Sequence, residues 1–273
     1  MRITVLGSGS GGNSTLVEAG GTRVLVDAGF TGKDIERRLA AVGVDPASLD
    51  GIVITHDHTD HTRGMGILAR RLGVPLYLTP ITRAACEKLL TGNERVVEYV
   101  SERAFRVGGL EIQPFLTVHD AADPVAVTLR DVETGIKLGI ATDLGRPTAA
   151  VRHALSGCDV LVLESNHDEA MLWNGPYPWS VKQRIASSHG HLSNRAAAEL
   201  ARELYHPGLG AVILAHLSEH CNDGALARDV VAEALDSLGF TGPLLVARQD
   251  APLDPIDAKE LRRAREPVQL SLL

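Results

Sequence analysis

The chain has 273 residues, 44% of them hydrophobic, and a formal net charge of -7. That suits one large domain or two small ones, and it excludes a broad basic surface for nonspecific nucleic-acid binding while leaving room for a local patch beside bound cations. Short, interrupted apolar runs exclude a transmembrane helix, and the start "MRITVLGSGSGG" lacks a signal peptide's long apolar core.

In chain order, the predicted elements begin with "ITVLG", "STLVEAG" and "TRVLVDAG". These are β-branched runs bounded by glycine, as antiparallel strands are. A helix is predicted at about residues 32 to 43, with Ile35, Leu39 and Val42 on one face. "LDGIVIT" reads as a buried strand that delivers a histidine-rich loop. Asp60 to Leu72 reads as one helix, with Met65, Leu68 and Leu72 inward and Arg63, Arg70 and Arg71 on other faces. A second set of strands runs through "FRV", "LEIQPFLTVH", "PVAVTLR", "IKLGIATD" and "DVLVLES". Helices follow at about 193 to 204 and 225 to 238, with strand "GAVILAH" between them and "PLLVA" after. From Asp254 the chain is charged and proline-punctuated, which predicts a surface helix with a loose end, a C-terminal surface segment over 254–273. No linker or repeat interrupts residues 1–253. One domain with strands in both halves predicts two packed sheets flanked by helices.

Cys86, Cys158 and Cys221 are odd in number and form no Cys-x-x-Cys pattern. They make no disulfide framework, so a reducing cytoplasm is the expected location.

The loop after "GIVIT" crowds His56, Asp57, His58, Asp60 and His61 into six positions. Such a group needs an organiser, and histidine is the commonest metal ligand; a solvated polar loop is the bland alternative. One loop holds too few ligands for a complete site. His119, Asp143 and His216 each follow an apolar strand, where a rigid element can orient a ligand. Imidazoles with a few carboxylates suit zinc or manganese better than magnesium or calcium.

This order, His-x-His-x-Asp-His followed by His119, Asp143 and His216, resembles the metallo-β-lactamase superfamily of metal-dependent hydrolases. The resemblance implies an α/β fold, a four-layer αββα sandwich of two mixed β-sheets. It implies two divalent metal ions at one edge of the sheets. His56, His58 and His119 would bind one, and Asp60, His61 and His216 the other, with Asp143 bridging. Asp57 is outside that set, and is either support for the ligands or loop polarity.

Asp143 stands where many lactamases carry cysteine, which leans towards phosphate-ester chemistry. The glycines and serines of "LGSGSGGNS", with Ser10 and Asn13, are candidates for touching a phosphate. A tight turn needing positive φ is the alternative. Ser193 or Asn194 could cap the helix after "SSHGHL", whose N-terminus would favour an anion. His191 precedes it, and Glu164 in "VLESNHD" could polarise His191. A lone histidine there could instead be a structural hydrogen-bonder; the resemblance, whose Gly-His-Leu/Ser element is matched by "GHLSN", favours a role on a phosphate oxygen or leaving group, so Asp60, His191 and Glu164 are the candidate catalytic residues.

"THDHTDH", "VHDAADP", "ATDLG", "LESNHD", "GHLSN" and "HLSEHCN" together look most like the YycJ/WalJ-type group. That resemblance implies a DNA exonuclease that uses a hydroxide between the two metals. Only 72 residues separate Asp143 from His216, and 23 separate His119 from Asp143. Neither gap holds the large insertions of β-CASP nucleases or many ribonuclease Z enzymes. The competing readings are a small-molecule hydrolase, acting on a cyclic phosphodiester or thioester, and a PqqB-like metal-containing carrier.

Overall fold

Alternation along the strands builds three cores at once. In β1 (Arg2–Gly7), Ile3 and Val5 face one way and Leu6 the other; in β3 (Thr22–Val26), Val24 and Val26 oppose Leu25. The β-branched set meets the facing sheet, and the leucines meet helices. Strands covered on both faces read as continuous apolar runs, which explains "AVILA" and "VLVLE". Each fully buried side chain of this kind contributes about 1.5–3 kcal/mol.

The computed structural model describes residues 1–265. β1, β2 (Ser14–Ala19), β3, β4 (Gly51–Val53), β5 (Leu76–Leu78) and β6 (Val96–Glu98) form the first sheet. β7 (Phe105–Val107), β8 (Leu110–Leu116), β9 (Val125–Asp131), β10 (Lys137–Ala141), β11 (Val160–Glu164), β12 (Ala211–Ala215) and β13 (Leu244–Val246) form the second. β14 (Ile256–Asp257) completes the first sheet beside β1, so that its order is β14-β1-β2-β3-β4-β5-β6. The second runs β13-β12-β11-β10-β9-β8-β7. Both sheets are mixed: the β3–β6 and β10–β13 pairings are parallel and the others antiparallel.

Helices α1 (Gly32–Ala41), α2 (Thr59–Thr62), α3 (Met65–Leu72) and α4 (Pro80–Ala85) belong to the first half. Ile35 and Leu39 of α1 and Met65 and Leu68 of α3 cover the outer face of the first sheet. α5 (Ala149–Leu155), α6 (Glu169–Asn174), α7 (Trp179–Ile185), α8 (Asn194–Leu204), α9 (Gly224–Asp236) and α10 (Ala258–Arg263) follow. α5, α8 and α9 cover the second sheet through Val151, Leu155, Ala197, Leu200, Val231 and Leu235. The four-layer αββα sandwich is the architecture expected.

Several elements differ from expectation. β5 and β6, three residues each, carry no periodicity long enough to read. The helix expected from Asp60 to Leu72 breaks at Gly64, whose N–H donates to Ala28 O. A Cβ on Gly64 would lie 2.3 Å from Phe30 O, so only glycine permits this approach. The helix expected after Asp254 is present as Ala258–Arg263, but the segment is stitched in and not merely laid on the surface: Ile256 pairs with Ile3, and Arg262 clamps Asp159 at 2.8 Å. Its expected loose end, from residue 266, lies outside the described residues. None of the described helices is long and apolar enough to cross a membrane.

Candidate metal centre

Chain segments leaving β3, β4, β8, β10, β11 and β12 meet at one edge of the sandwich. Backbone hydrogen bonds tie them there: Asp27 to Val53, Val125 to Thr55, Gly145 to Val118, and Ser165 to Ala215. His119 lies three residues past β8 and not at its end, and Asp143 lies two past β10. Asp27, Asp143 and His216 hold left-handed backbones, with φ of 62°, 55° and 56°. Non-glycine residues rarely adopt this conformation, and it concentrates where packing over-determines a functional position.

All seven expected ligands are brought together. One group with ligand atoms within 4.8 Å of one another is His56, His58, His119 and Asp143; another is Asp60, His61 and His216. Asp143 also stands in a third group with Glu164, His191 and His216.

Each imidazole is oriented through its other nitrogen. His61 Nδ1 donates to Asp27 Oδ2 at 2.8 Å, and His216 Nδ1 to Glu164 Oε1 at 2.8 Å. His119 Nδ1 donates to Gly190 O at 3.0 Å, His58 Nε2 to Asp120 O at 3.2 Å, and His56 Nδ1 to Thr55 Oγ1 at 3.0 Å. Such anchoring fixes the tautomer and turns the remaining lone pair inward.

Those inward atoms form an electron-rich cavity. His119 Nε2 lies 3.3 Å from His58 Nδ1 and 3.4 Å from Asp143 Oδ1. His216 Nε2 lies 3.3 Å from Asp60 Oδ2. Asp143 Oδ2 is 2.9 Å from His61 Nε2 without hydrogen-bond alignment. His56 Nε2 and Asp143 Oδ2 are buried with no hydrogen-bond partner among the described residues. Orphaned buried acceptors are costly unless something binds them. A mixed imidazole and carboxylate set fits divalent cations such as zinc or manganese.

The electrostatics agree. Burial and the neighbouring imidazole of His61 push His56 well below its ordinary range, so it stands neutral. Burial also acts to lower His61 and His216, yet Asp143 and the other facing carboxylates outweigh it and raise both well above that range. That negative charge holds protons on the two rings in the absence of a metal, and a divalent cation would take their place.

Asp57 resolves as support: its Oδ1 accepts from Ala122 N at 2.9 Å and ties the histidine loop to the His119 segment. Glu164 is fully buried and lies 2.8 Å from His191 Nδ1, so those two candidates do meet. His220 lies outside the centre, its ring 5.7 Å from that of Tyr177.

The candidate phosphate contacts need correction. Asn13 is buried and spent on the loop and ligands: its Oδ1 accepts from Ser8 Oγ and Gly9 N, and its Nδ2 lies 3.1 Å from His61 Nε2. Ser193 caps α8 through Ala196 N and donates to Glu169. Asn194 bonds Ser165 and Asn222 inside the protein. Of the four, only Ser10 is exposed. The expectations missed Asp27, which accepts from Thr55 and His61, and Ser8, whose Oγ accepts from His216 N at 2.8 Å. Asp27 had a signal, since it follows an apolar strand as the ligands do.

Known proteins share this architecture. The profile described as Beta-lactamase superfamily domain matches residues 22–217. Exodeoxyribonuclease YycJ of Bacillus anthracis is 35% identical over 244 residues, covering 88% of this chain and 91% of that protein. Exodeoxyribonuclease WalJ of Streptococcus pneumoniae is 34% identical over 241 residues, covering 86% and 88%. The metallo-beta-lactamase fold protein YhfI from Bacillus subtilis aligns with a TM-score of 0.71 at 19% identity, over 92% of this chain and 98% of that one. The chain therefore belongs to the beta-lactamase superfamily, beside the YycJ and WalJ proteins, and is a metal-dependent hydrolase.

Proposed function

We propose that this hydrolase removes nucleotides from DNA ends and works with two divalent cations, zinc or manganese. His56, His58 and His119 hold one in this reading, Asp60, His61 and His216 the other, and Asp143 reaches both. When bound, such a pair supplies Lewis acidity to a phosphoryl oxygen and lowers the pKa of water.

The observation that carries the reading is His191. It stands beside the ligand set, 14% exposed, with Nδ1 held 2.8 Å from Glu164. Its Nε2 is the atom left to give a proton to a departing oxygen. The cluster opens to solvent through Asp57, His58 and Asp60, while His56, His61, Asp143 and His216 are buried. An open rim suits a chain end, and the exodeoxyribonuclease names of the two relatives support DNA as the substrate. Cys86, Cys158 and Cys221 are free and buried, which fits the reducing cytoplasm.

The test is incubation of metal-loaded protein with end-labelled single- and double-stranded DNA, matched RNA, a cyclic dinucleotide and a thioester. Stepwise shortening of DNA, stopped by chelator and restored by zinc or manganese, is the expected result. Turnover confined to the cyclic dinucleotide or the thioester would replace the reading with a small-molecule hydrolase. Metal binding without turnover of any substrate would favour a carrier.

A further inference from the structure

The chain has two tryptophans, and both are on the surface. Trp173 in α6 is 43% exposed and Trp179 in α7 is 64% exposed, with ring centroids 5.2 Å apart and planes tilted by 39°. Single exposed apolar residues need no explanation. Two adjacent indoles on a short hairpin beside a metal centre do.

The hairpin is fastened to that centre from several sides. Lys182 Nζ donates to Trp173 O at 2.7 Å and joins α7 to α6. Arg184 Nε donates to Asp120 Oδ2, and the carbonyl of Asp120 orients His58. His191 N donates to Ile185 O at the end of α7, and Asp120 N to His189 O. Tyr177, between the two helices, meets His220 in the loop after His216. With about 1.5 Å of rise per residue, α7 sets Trp179 about 9 Å from Ile185.

The surroundings select the occupant. Asn174, Ser180, Gln183 and Arg184 are exposed on the same two helices. A two-ring patch in a polar surface is far smaller than the ~800 Å² per partner of a stable protein interface. It matches a flat base with polar edges, and aromatic faces accept any base. Exposed Arg146 supplies a cation beside the segment that follows α7, since Gly145 before it lies against Ser188 and His189.

We propose that Trp173 and Trp179 form a stacking platform for the unpaired bases of a single-stranded DNA end, holding the strand as its terminus enters the metal centre. This inference rests on the nuclease reading.

Because no other tryptophan contributes, intrinsic emission reports on the platform alone. Metal-loaded protein is titrated with an all-phosphorothioate oligothymidylate, which resists cleavage, and its emission should quench to saturation. Trp179→Ala and Trp173→Ala should each raise KM for single-stranded DNA about tenfold, within the 1–3 kcal/mol typical per stacked base. Trp179→Phe should recover most of that loss. kcat and turnover of bis-p-nitrophenyl phosphate should be unchanged in all three. DNA degradation without quenching, and with unchanged KM in the alanine variants, overturns the platform and leaves the nuclease reading standing. Quenching that disappears in Trp179→Ala, in a protein that cuts no DNA, keeps the platform and overturns the nuclease. Neither quenching nor cleavage overturns both.

Discussion

Glu164 and His216 meet through a 2.8 Å contact between Oε1 and Nδ1, and the same oxygen lies 2.8 Å from His191 Nδ1. One acid thus orients an imidazole of the ligand set and the imidazole beside it. Its Oε2 accepts from Leu144 N and Leu192 N, which fixes the carboxylate between β10 and α8. Burial pushes Glu164 up, but the facing imidazoles of His191 and His216 outweigh it and bring it down to about 2. It is ionised at any working pH.

Glu164→Gln should therefore weaken metal binding. An amide placed here either loses the contact to the two imidazoles or sets its NH₂ against the N–H groups of Leu144 and Leu192. Metal affinity should fall about 10–100-fold, as for other partners of metal-binding histidines. Chelator competition measures this directly. Unchanged affinity would mean that His216 is not a ligand.

Asp143→Asn tests the bridge. Metal-loaded protein should contain close to two equivalents by elemental analysis, because seven mixed ligands exceed what one tetrahedral ion requires. The amide cannot bridge well or offset two cations, so turnover should vanish. The melting temperature should change little, since the apolar residues of β10 pack elsewhere. Near-normal turnover with both metals retained would refute the bridging role.

The cluster of candidate ligands was legible because it obeys local rules. His56, His58, Asp60 and His61 are adjacent in sequence, and Asp143 and His216 follow long apolar strands. The supports were legible only in part: Glu164 was expected beside His191, whereas Asp27, although it follows an apolar strand, declares its partner only when β3 and β4 pair. The phosphate contacts failed for a related reason. Ser193 and Asn194 have the chemistry to cap a helix, and the fold uses Ser193 for that cap and buries Asn194 in a polar network. In "LGSGSGGNS", the N–H of Gly9 goes to Asn13 and that of Gly11 to Gln249, so protein groups occupy donors that an anion could have used.

Glu94 offers a pH-dependent test away from the centre. Burial pushes its carboxyl up, but the backbone N–H groups of Thr91 and Gly92 and the Arg70 guanidinium prevail and hold it at about 2. The folded value lies below the ordinary 4.5, so the stabilisation is present above that ordinary value. It is lost as pH falls through the folded one. Glu94→Gln should cost on the order of 1 kcal/mol at neutral pH, typical of a net hydrogen-bond contribution. Chemical denaturation at stepped pH should show the variant converging on the parent between about pH 5 and 2. A constant gap across that range would show that the charge of Glu94 contributes nothing.

His191→Ala separates phosphodiester chemistry from simple positioning. His191 belongs to neither metal's proposed ligand trio, so metal content should stay intact. In the two-metal reading the attacking group needs no further base. The departing alkoxide remains, and it is a poor leaving group without a proton. With Nδ1 held by Glu164, His191 can supply that proton from Nε2. General-acid assistance is typically a factor of about 10²–10⁴, so DNA hydrolysis should fall by that range. Bis-p-nitrophenyl phosphate has a leaving group stable as an anion and should suffer much less. Comparing kcat for both substrates, with metal content measured on the same preparations, decides the case. Equal losses on both would mean that His191 orients the phosphate instead of protonating the leaving oxygen. Loss of a metal ion would make His191 itself a ligand, an outcome its place beside Asp143 and His216 makes measurable.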